Sequence, residues 1–258
     1  VIDYAGKVGS WPMYLNDQLG DCTAACAGHE VMSWTAYGSQ EAEVSDNDVL
    51  ALYMATGGYV PGDPGTDNGA VIQDVLDYWR VKGIGGHKIV AFAELKSWTE
   101  ENLRQTLEIF GTVYLGINCP QSAIDQFNGD GAWTYVPGSP IAGGHAIPLQ
   151  AWDESAPNPG TVITWGKAQP VSMEFLSRYV EEAWVIITQD FIDSHGVTPV
   201  EGFNFQQLSE DLSLLTGKPG PVTPPAPVPP APPQPPPNWL DDFINWFARL
   251  WHRVFGLN

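Results

Sequence analysis

Basic side chains are scarce. The chain has 11 Lys and Arg against 30 Asp and Glu, a formal net charge of −19. Binding that depends on neutralising phosphates is thereby excluded, and with it nucleic acid as a direct partner. Only 16% of the 258 residues are charged, so the acidity comes from missing bases rather than acidic runs, and solubility is its main consequence. Cysteine is equally sparse. Cys22, Cys26 and Cys119 are too few for a disulfide framework, and the first two share one expected helix, where bridging geometry is poor. The redox compartment stays open. No run of eighteen apolar residues reads as a membrane span and no basic, apolar leader is visible. The chain opens at Val1 rather than at a methionine, so the missing leader carries little weight. What is present is 43% apolar and 12% aromatic content, enough for one substantial core and an appendage.

Residues 1–217 alternate periodic segments with Gly, Asn, Asp and Pro punctuation, the pattern of an α+β domain. Small and apolar residues over 22–37 predict a buried helix. A second is predicted over 45–56, with Ser45 as N-cap and Asp48 in place of the usual Glu. Residues 70–82 predict an amphipathic third, stopped by Gly83, and Thr99 opens a fourth that runs to Phe110. Strand signals follow over 112–117, 145–152, 161–165 and 183–188, each short and rich in apolar or β-branched residues. A short helix over 209–215 is expected to close the domain.

Residues 218–237 break this pattern, being too rich in proline for a helix or a sheet interior. Polyproline II at about 3 Å per residue makes them a semi-rigid spacer of about 60 Å. Residues 238–258 then predict an amphipathic helix. Trp239, Leu240, Phe243, Trp246, Phe247, Leu250, Trp251 and Val254 recur at helical spacing. Asn238 caps the start, Asp241 and Asp242 favour the positive end of the dipole, and Arg249, His252 and Arg253 the negative end.

Two motifs carry chemistry. In Asn16-Asp-Gln-Leu-Gly-Asp-Cys22-Thr the thiol falls in the first helical turn, where the helix dipole is expected to stabilise its thiolate. The Asn16 amide, six residues earlier, can reach back over that turn and, with the Cys22 backbone N–H, hold the oxyanion formed when a carbonyl is attacked. In Gly143-Gly144-His145-Ala-Ile, glycines ahead of a buried strand are expected to let the imidazole approach a nucleophile closely. His145 would take the thiol proton and return it to the leaving group.

The order of these elements resembles the papain-like cysteine peptidase superfamily across about residues 10–190. Asp67-Asn-Gly-Ala-Val-Ile-Gln-Asp-Val-Leu-Asp-Tyr resembles its glycine-then-helix segment, and Leu107-Glu-Ile-Phe-Gly-Thr-Val-Tyr-Leu-Gly-Ile the helix and strand that precede the histidine. Gly143-Gly-His-Ala-Ile-Pro-Leu-Gln-Ala-Trp-Asp is similar to the histidine strand, and Ile163-Thr-Trp-Gly to the Asn-Ser-Trp-Gly motif after it. Phage and bacterial members of unassigned substrate look most similar. The implied fold is α+β and papain-like: a helical half carrying the cysteine, an antiparallel sheet half carrying the histidine, then the Pro-rich linker and the C-terminal helix. Two positions depart from the family pattern. Asn16 stands where members usually place Gln, and Ile163 stands at the orienting Asn. The imidazole would then be oriented by Thr164, by Asp153 or by a backbone carbonyl.

The same residues have plainer readings. Cys26 reads as packing. Cys22, Cys26 and His29 share a helix face, but structural zinc usually takes four ligands from separate elements, so neither a metal nor another cofactor is expected. His145 is preferred over His29, His87, His195 and His252. Trp165 reads equally as a lid over the histidine or as core, Asp153 as a strand-end turn residue, and Asp17 and Asp21 as residues that favour the helix dipole.

Cys22, His145, Asn16, Thr164 and Asp153 thus form the candidate site of a thiol-dependent amide-bond hydrolase or transferase acting on a peptide or protein. The alternative is a catalytically relict papain-fold structural or binding protein of a phage virion. The resemblance suggests a virion-associated or extracellular setting, which the residues themselves leave undecided. Trp239, Phe243, Trp246, Phe247, Leu250 and Trp251 form a face expected to dock on a protein partner or a second copy. A membrane surface ranks below these, because Asp241 and Asp242 offset Arg249 and Arg253 on the polar side.

Overall fold

The computed structural model describes residues 1–188 apart from positions 39 and 97. The helix expected over 209–215, the spacer 218–237, the aromatic helix 238–258, His195 and His252 lie outside the described residues. So do the six aromatic and leucine residues assigned to docking.

Helix α1 (Cys22–Tyr37) starts at the candidate nucleophile and is buried along nearly its whole length. Its alanines, together with Gly28, make it narrow enough to be covered on every side. Gly28 marks the tightest approach: a Cβ there would come within 2.8 Å of Tyr14 Cε2 and 3.2 Å of Val49 Cγ2. Helix α2 (Asp46–Gly57) begins with the Ser45–Asp48 capping box that the sequence suggests and ends at Gly58, whose φ of 70° only glycine adopts without strain. Helix α3 (Ile72–Val81) presents Ile72, Val75, Leu76 and Trp79 to the core. Helices α1, α2 and α3 pack on one another and form the helical half. Helix α4 (Glu100–Phe110) repeats the capping logic with Thr99 and Asn102, stops at Gly111 and lies along the sheet.

The sheet is antiparallel, in the order β2 (Ile89–Glu94), β7 (Val180–Thr188), β3 (Val113–Pro120), β4 (Ile141–Trp152), β5 (Gly160–Thr164) and β6 (Lys167–Val171). The short β1 (Ile2–Asp3) pairs with the far end of β4. The central pairing, β3 with β4, sets Ile117 opposite His145 and Gly116 opposite Ala146. Helices α5 (Gln121–Asn128) and α6 (Met173–Tyr179) pack on β3.

Side-chain bonds fasten the two halves together. Tyr114 O–H on β3 donates to the Thr23 carbonyl at 2.6 Å, the Trp34 indole N–H to the Phe110 carbonyl at 3.0 Å, and Thr112 O–H to Glu30 Oε1 at 2.9 Å. Each joins α1 to β3, to the end of α4 or to the residue just ahead of β3.

The four expected helices are present, with α3 two residues shorter at its start than 70–82. The strands differ more. Strand β4 starts at Ile141 rather than His145, β7 at Val180 rather than at residue 183, and β3 continues to Pro120. The span 161–165 ends instead at Thr164, because Trp165 and Gly166 form a two-residue turn with φ of 42° and 76° before β6 pairs back. Positive φ at both central residues is the signature of the tight hairpin turn that matches strand twist. Elements β1, β2, β6, α5 and α6 have no counterpart among the expected elements.

Gly28→Ala should be destabilising although alanine is the better helix former. Close packing against a buried tyrosine ring should cost about 1–3 kcal/mol, against a gain of about 1 kcal/mol in propensity. Urea unfolding measures this, and an equal or raised midpoint would mean that the α1 packing has slack.

Candidate active site

Cys22 occupies the first turn of α1. The backbone N–H groups of Ala146, Thr23 and Cys22 itself face its sulfur and favour the thiolate form. The first comes from the sheet and the other two from the free N-terminal turn of the helix. The thiol therefore sits against the backbone of the residue that follows His145, where α1 packs on β4. Strand pairing positions the histidine and the helix terminus positions the thiol.

The His145 ring is held on two sides. Its Nε2 lies 2.8 Å from Thr164 Oγ1. The Trp165 indole stacks on it, with ring centroids 4.7 Å apart and planes 18° from parallel. The β4–β5 ladder is formed as far as Val162 opposite Leu149, and the remaining residues of β5 carry Thr164 toward His145. The turn that follows throws Trp165 over the ring. Trp165 is supported in its positive-φ conformation by edge contacts to Phe127 and Trp133 at 4.9 and 5.9 Å.

The other sequence-identified residues lie differently. Asp153 is in the turn after β4, where its carboxylate accepts bonds from the Ser155 N–H and O–H at 2.9 and 2.6 Å. Those bonds hold it below the usual carboxylate range and describe a turn residue. Asn16 is beside the helix start, but its amide nitrogen donates to Asp21 Oδ1 at 2.9 Å and to the Leu19 carbonyl at 3.3 Å. Ile163 is buried in the core beside Val162, apolar as its sequence position implies.

Three local expectations need correction. A Cβ at Gly143 or Gly144 would meet nothing within 4 Å, and both lie in the exposed first part of β4. These glycines leave open space before the histidine rather than allowing a tight approach. Asp21 does not serve the dipole: it is the N-cap residue of α1, yet its side chain makes no capping bond and is wholly buried. The Cys22 thiolate is not favoured at rest either, although the helix N–H groups do point at it. Cys22 retains some exposure, but the protein packed around its sulfur pushes the thiol from 9.0 up to about 11. Burial also lowers His145 to about 4, so thiol and imidazole are both neutral at physiological pH.

Cys26 is buried within α1, and His29 is held by Pro12, whose carbonyl lies 2.9 Å from Nε2. Among the described residues no group of three His, Cys, Asp or Glu side chains is arranged to hold a metal ion. Sequence reasoning missed the inward turn of Asp21. The sole signal for it was an acid placed immediately before the thiol.

No protein-family model matches the sequence, and no curated protein matches it. Among solved structures the chain is similar to xylellain, a cysteine protease from Xylella fastidiosa, with a TM-score of 0.56 and 14% identity over 72% of this chain and 85% of that one. At that identity the likeness shows the fold. The protein has an α+β architecture with a papain-like fold.

Thr164→Val keeps the shape of the side chain but leaves a buried ring nitrogen without a partner. It should cost about 1–3 kcal/mol in stability. An unchanged denaturation midpoint would show that the hydroxyl does not hold the imidazole.

Proposed function

We propose that the protein is a thiol-dependent amide-bond hydrolase or acyl transferase of cysteine-peptidase type acting on a peptide or protein. The observation that supports this reading is the His145 ring, fixed by Thr164 and Trp165, on the strand whose next residue, Ala146, turns its backbone N–H to the helix-terminal thiol. The Thr164 contact engages Nε2 and leaves Nδ1 available to the thiol.

In the proposed reaction Thr164 Oγ1 accepts a hydrogen bond from Nε2–H, which leaves the Nδ1 lone pair for the thiol. Both groups rest neutral, so the proton moves from Sγ to the imidazole as sulfur attacks the carbonyl carbon. The carbonyl π electrons pass to oxygen, and the oxyanion is held by the Cys22 backbone N–H and by the second N–H of Asn16, swung from the Leu19 carbonyl. Collapse expels the amine, which takes the proton from His145 and leaves a thioester on Cys22. Water, deprotonated by the same imidazole, or an acceptor amine releases the acyl group. A fold of this kind also serves proteins without such chemistry, so the assignment rests on the site and not on the architecture.

With a fluorogenic peptide amide, Cys22→Ala should abolish turnover and Asn16→Ala should lower kcat by roughly 10²-fold. A peptidyl vinyl sulfone should modify Cys22 ahead of Cys26 and Cys119. Because His145 is neutral down to about pH 4, the acid limb of kcat/KM should fall there rather than near the free imidazole value of about 6.5. Equal activity in wild type and Cys22→Ala would remove the thiol from the mechanism. Absence of both turnover and labelling would favour the relict structural protein.

A further inference from the structure

Asp21 is the acid nearest in sequence to the thiol, and nothing in the reaction above uses it. Its side chain is fully buried. Oδ1 accepts from Asn16 Nδ2 at 2.9 Å, while Oδ2 is buried without a partner. A carboxylate with one oxygen unsatisfied would be costly to bury, whereas a carboxylic acid there needs only its O–H accommodated. A residue that served only as a helix cap would turn its side chain to the free N–H groups, and this one makes no such bond.

Resting on the proposed hydrolytic reading, we propose that Asp21 is the positioning residue of the site: it holds the Asn16 amide through Oδ1 and permits thiol chemistry while its carboxyl is uncharged. The bond to Oδ1 fixes the plane of the Asn16 amide. One N–H is then tied down, and the other is free to exchange the long contact to Leu19 for the oxyanion. A negative charge on Asp21 would oppose both the thiolate and the oxyanion. The charges that act on Asp21 are acidic. Asp67 faces it from the loop before α3, already holding the Gly20 N–H and the Tyr53 O–H, and Asp17 faces it from the loop that carries Asn16. Cys22 on α1 and Tyr53 on α2 are the other titratable groups that feel its charge. None of these is a cation. Burial first, then repulsion from Asp67 and Asp17, raises the Asp21 carboxyl to about 7, with only the Asn16 bond and its own N–H opposing.

The test uses the full chain and does not depend on turnover. Alkylation of Cys22 by iodoacetamide is followed by mass spectrometry from about pH 5 to about pH 9 in wild type and Asp21→Asn, which removes the charge and keeps an acceptor. The variant should match wild type below about pH 6 and react faster above about pH 8, by roughly tenfold for one pKa unit of thiol displacement. A ratio that does not change with pH overturns the charge role. In wild type alone, the Asn16 side-chain amide NMR resonance should titrate with a midpoint near neutrality, and no such titration overturns the link between Asp21 and Asn16 even if the variant does not fold. Where the protein turns over substrate, the alkaline limb of kcat/KM should lie near neutrality and move up in Asp21→Asn. A thiol that follows the predicted alkylation ratio in a protein without turnover would sink the hydrolytic reading and leave the Asp21 coupling standing.

Discussion

The packing of the α1 N-terminus on the centre of the sheet is the constraint on which the rest depends. It brings a helix-terminal thiol to a strand backbone, and it is secured by bonds that join distant parts of the chain. Tyr114 holds the Thr23 carbonyl, and the Ala146 N–H faces the Cys22 sulfur. Further along the helix, Trp34 reaches Phe110, Thr112 reaches Glu30, and the Gln150 amide donates to the His29 carbonyl at 3.3 Å. Glu30 sits fully buried, its carboxyl driven well above the usual range by loss of water, so it is carried as a neutral hydrogen-bonding group. The small residues of α1 follow from this: a bulkier helix could not sit close enough for these bonds to form.

Electrostatics at the site is a contest that burial wins. A helix terminus offers a thiolate about 0.3–1 kcal/mol, up to about 2 kcal/mol when partly buried. The rise of the Cys22 thiol from 9.0 to about 11 corresponds to roughly 3 kcal/mol in the opposite sense. The imidazole is depressed for the same reason. A resting ion pair is therefore not available, and catalysis would have to generate charge only as substrate arrives. Under those conditions the fixed N–H donors around the sulfur matter most, because they are already oriented when charge develops. A buried acid beside the thiol is tolerable only when it is neutral.

Much of this was legible in the sequence because it is local. Ser45 and Thr99 announce their helices by capping chemistry that acts within one turn. The apolar period of α3 and the glycine stop at Gly111 are equally short-range. Cys22 at the start of a helix and His145 on a strand were legible through spacing and residue type. What escaped depends on tertiary pairing. Strand β6 gives no strand signal, since Pro170 and polar neighbours are poor strand formers, yet it lies at the sheet edge, where proline is tolerated. Helices α5 and α6 are too short to show a period. The choice between Thr164 and Asp153 could not be made from sequence, because both follow the histidine closely. The direction in which β5 runs back along β4 puts Thr164 against the ring and leaves Asp153 at the turn. The inward rotation of Asp21 has no sequence signature beyond the place of an acid immediately before the thiol.

The central claim is that Cys22 and His145 form one reacting pair. A crystal structure of the protein after treatment with a peptidyl aldehyde tests it most directly. The account predicts a hemithioacetal on Cys22, its oxygen against the Cys22 N–H, and a His145 ring nitrogen within about 4 Å of the sulfur. An adduct on Cys119, or one on Cys22 with the imidazole more than about 8 Å away and still tied to Thr164, would contradict it.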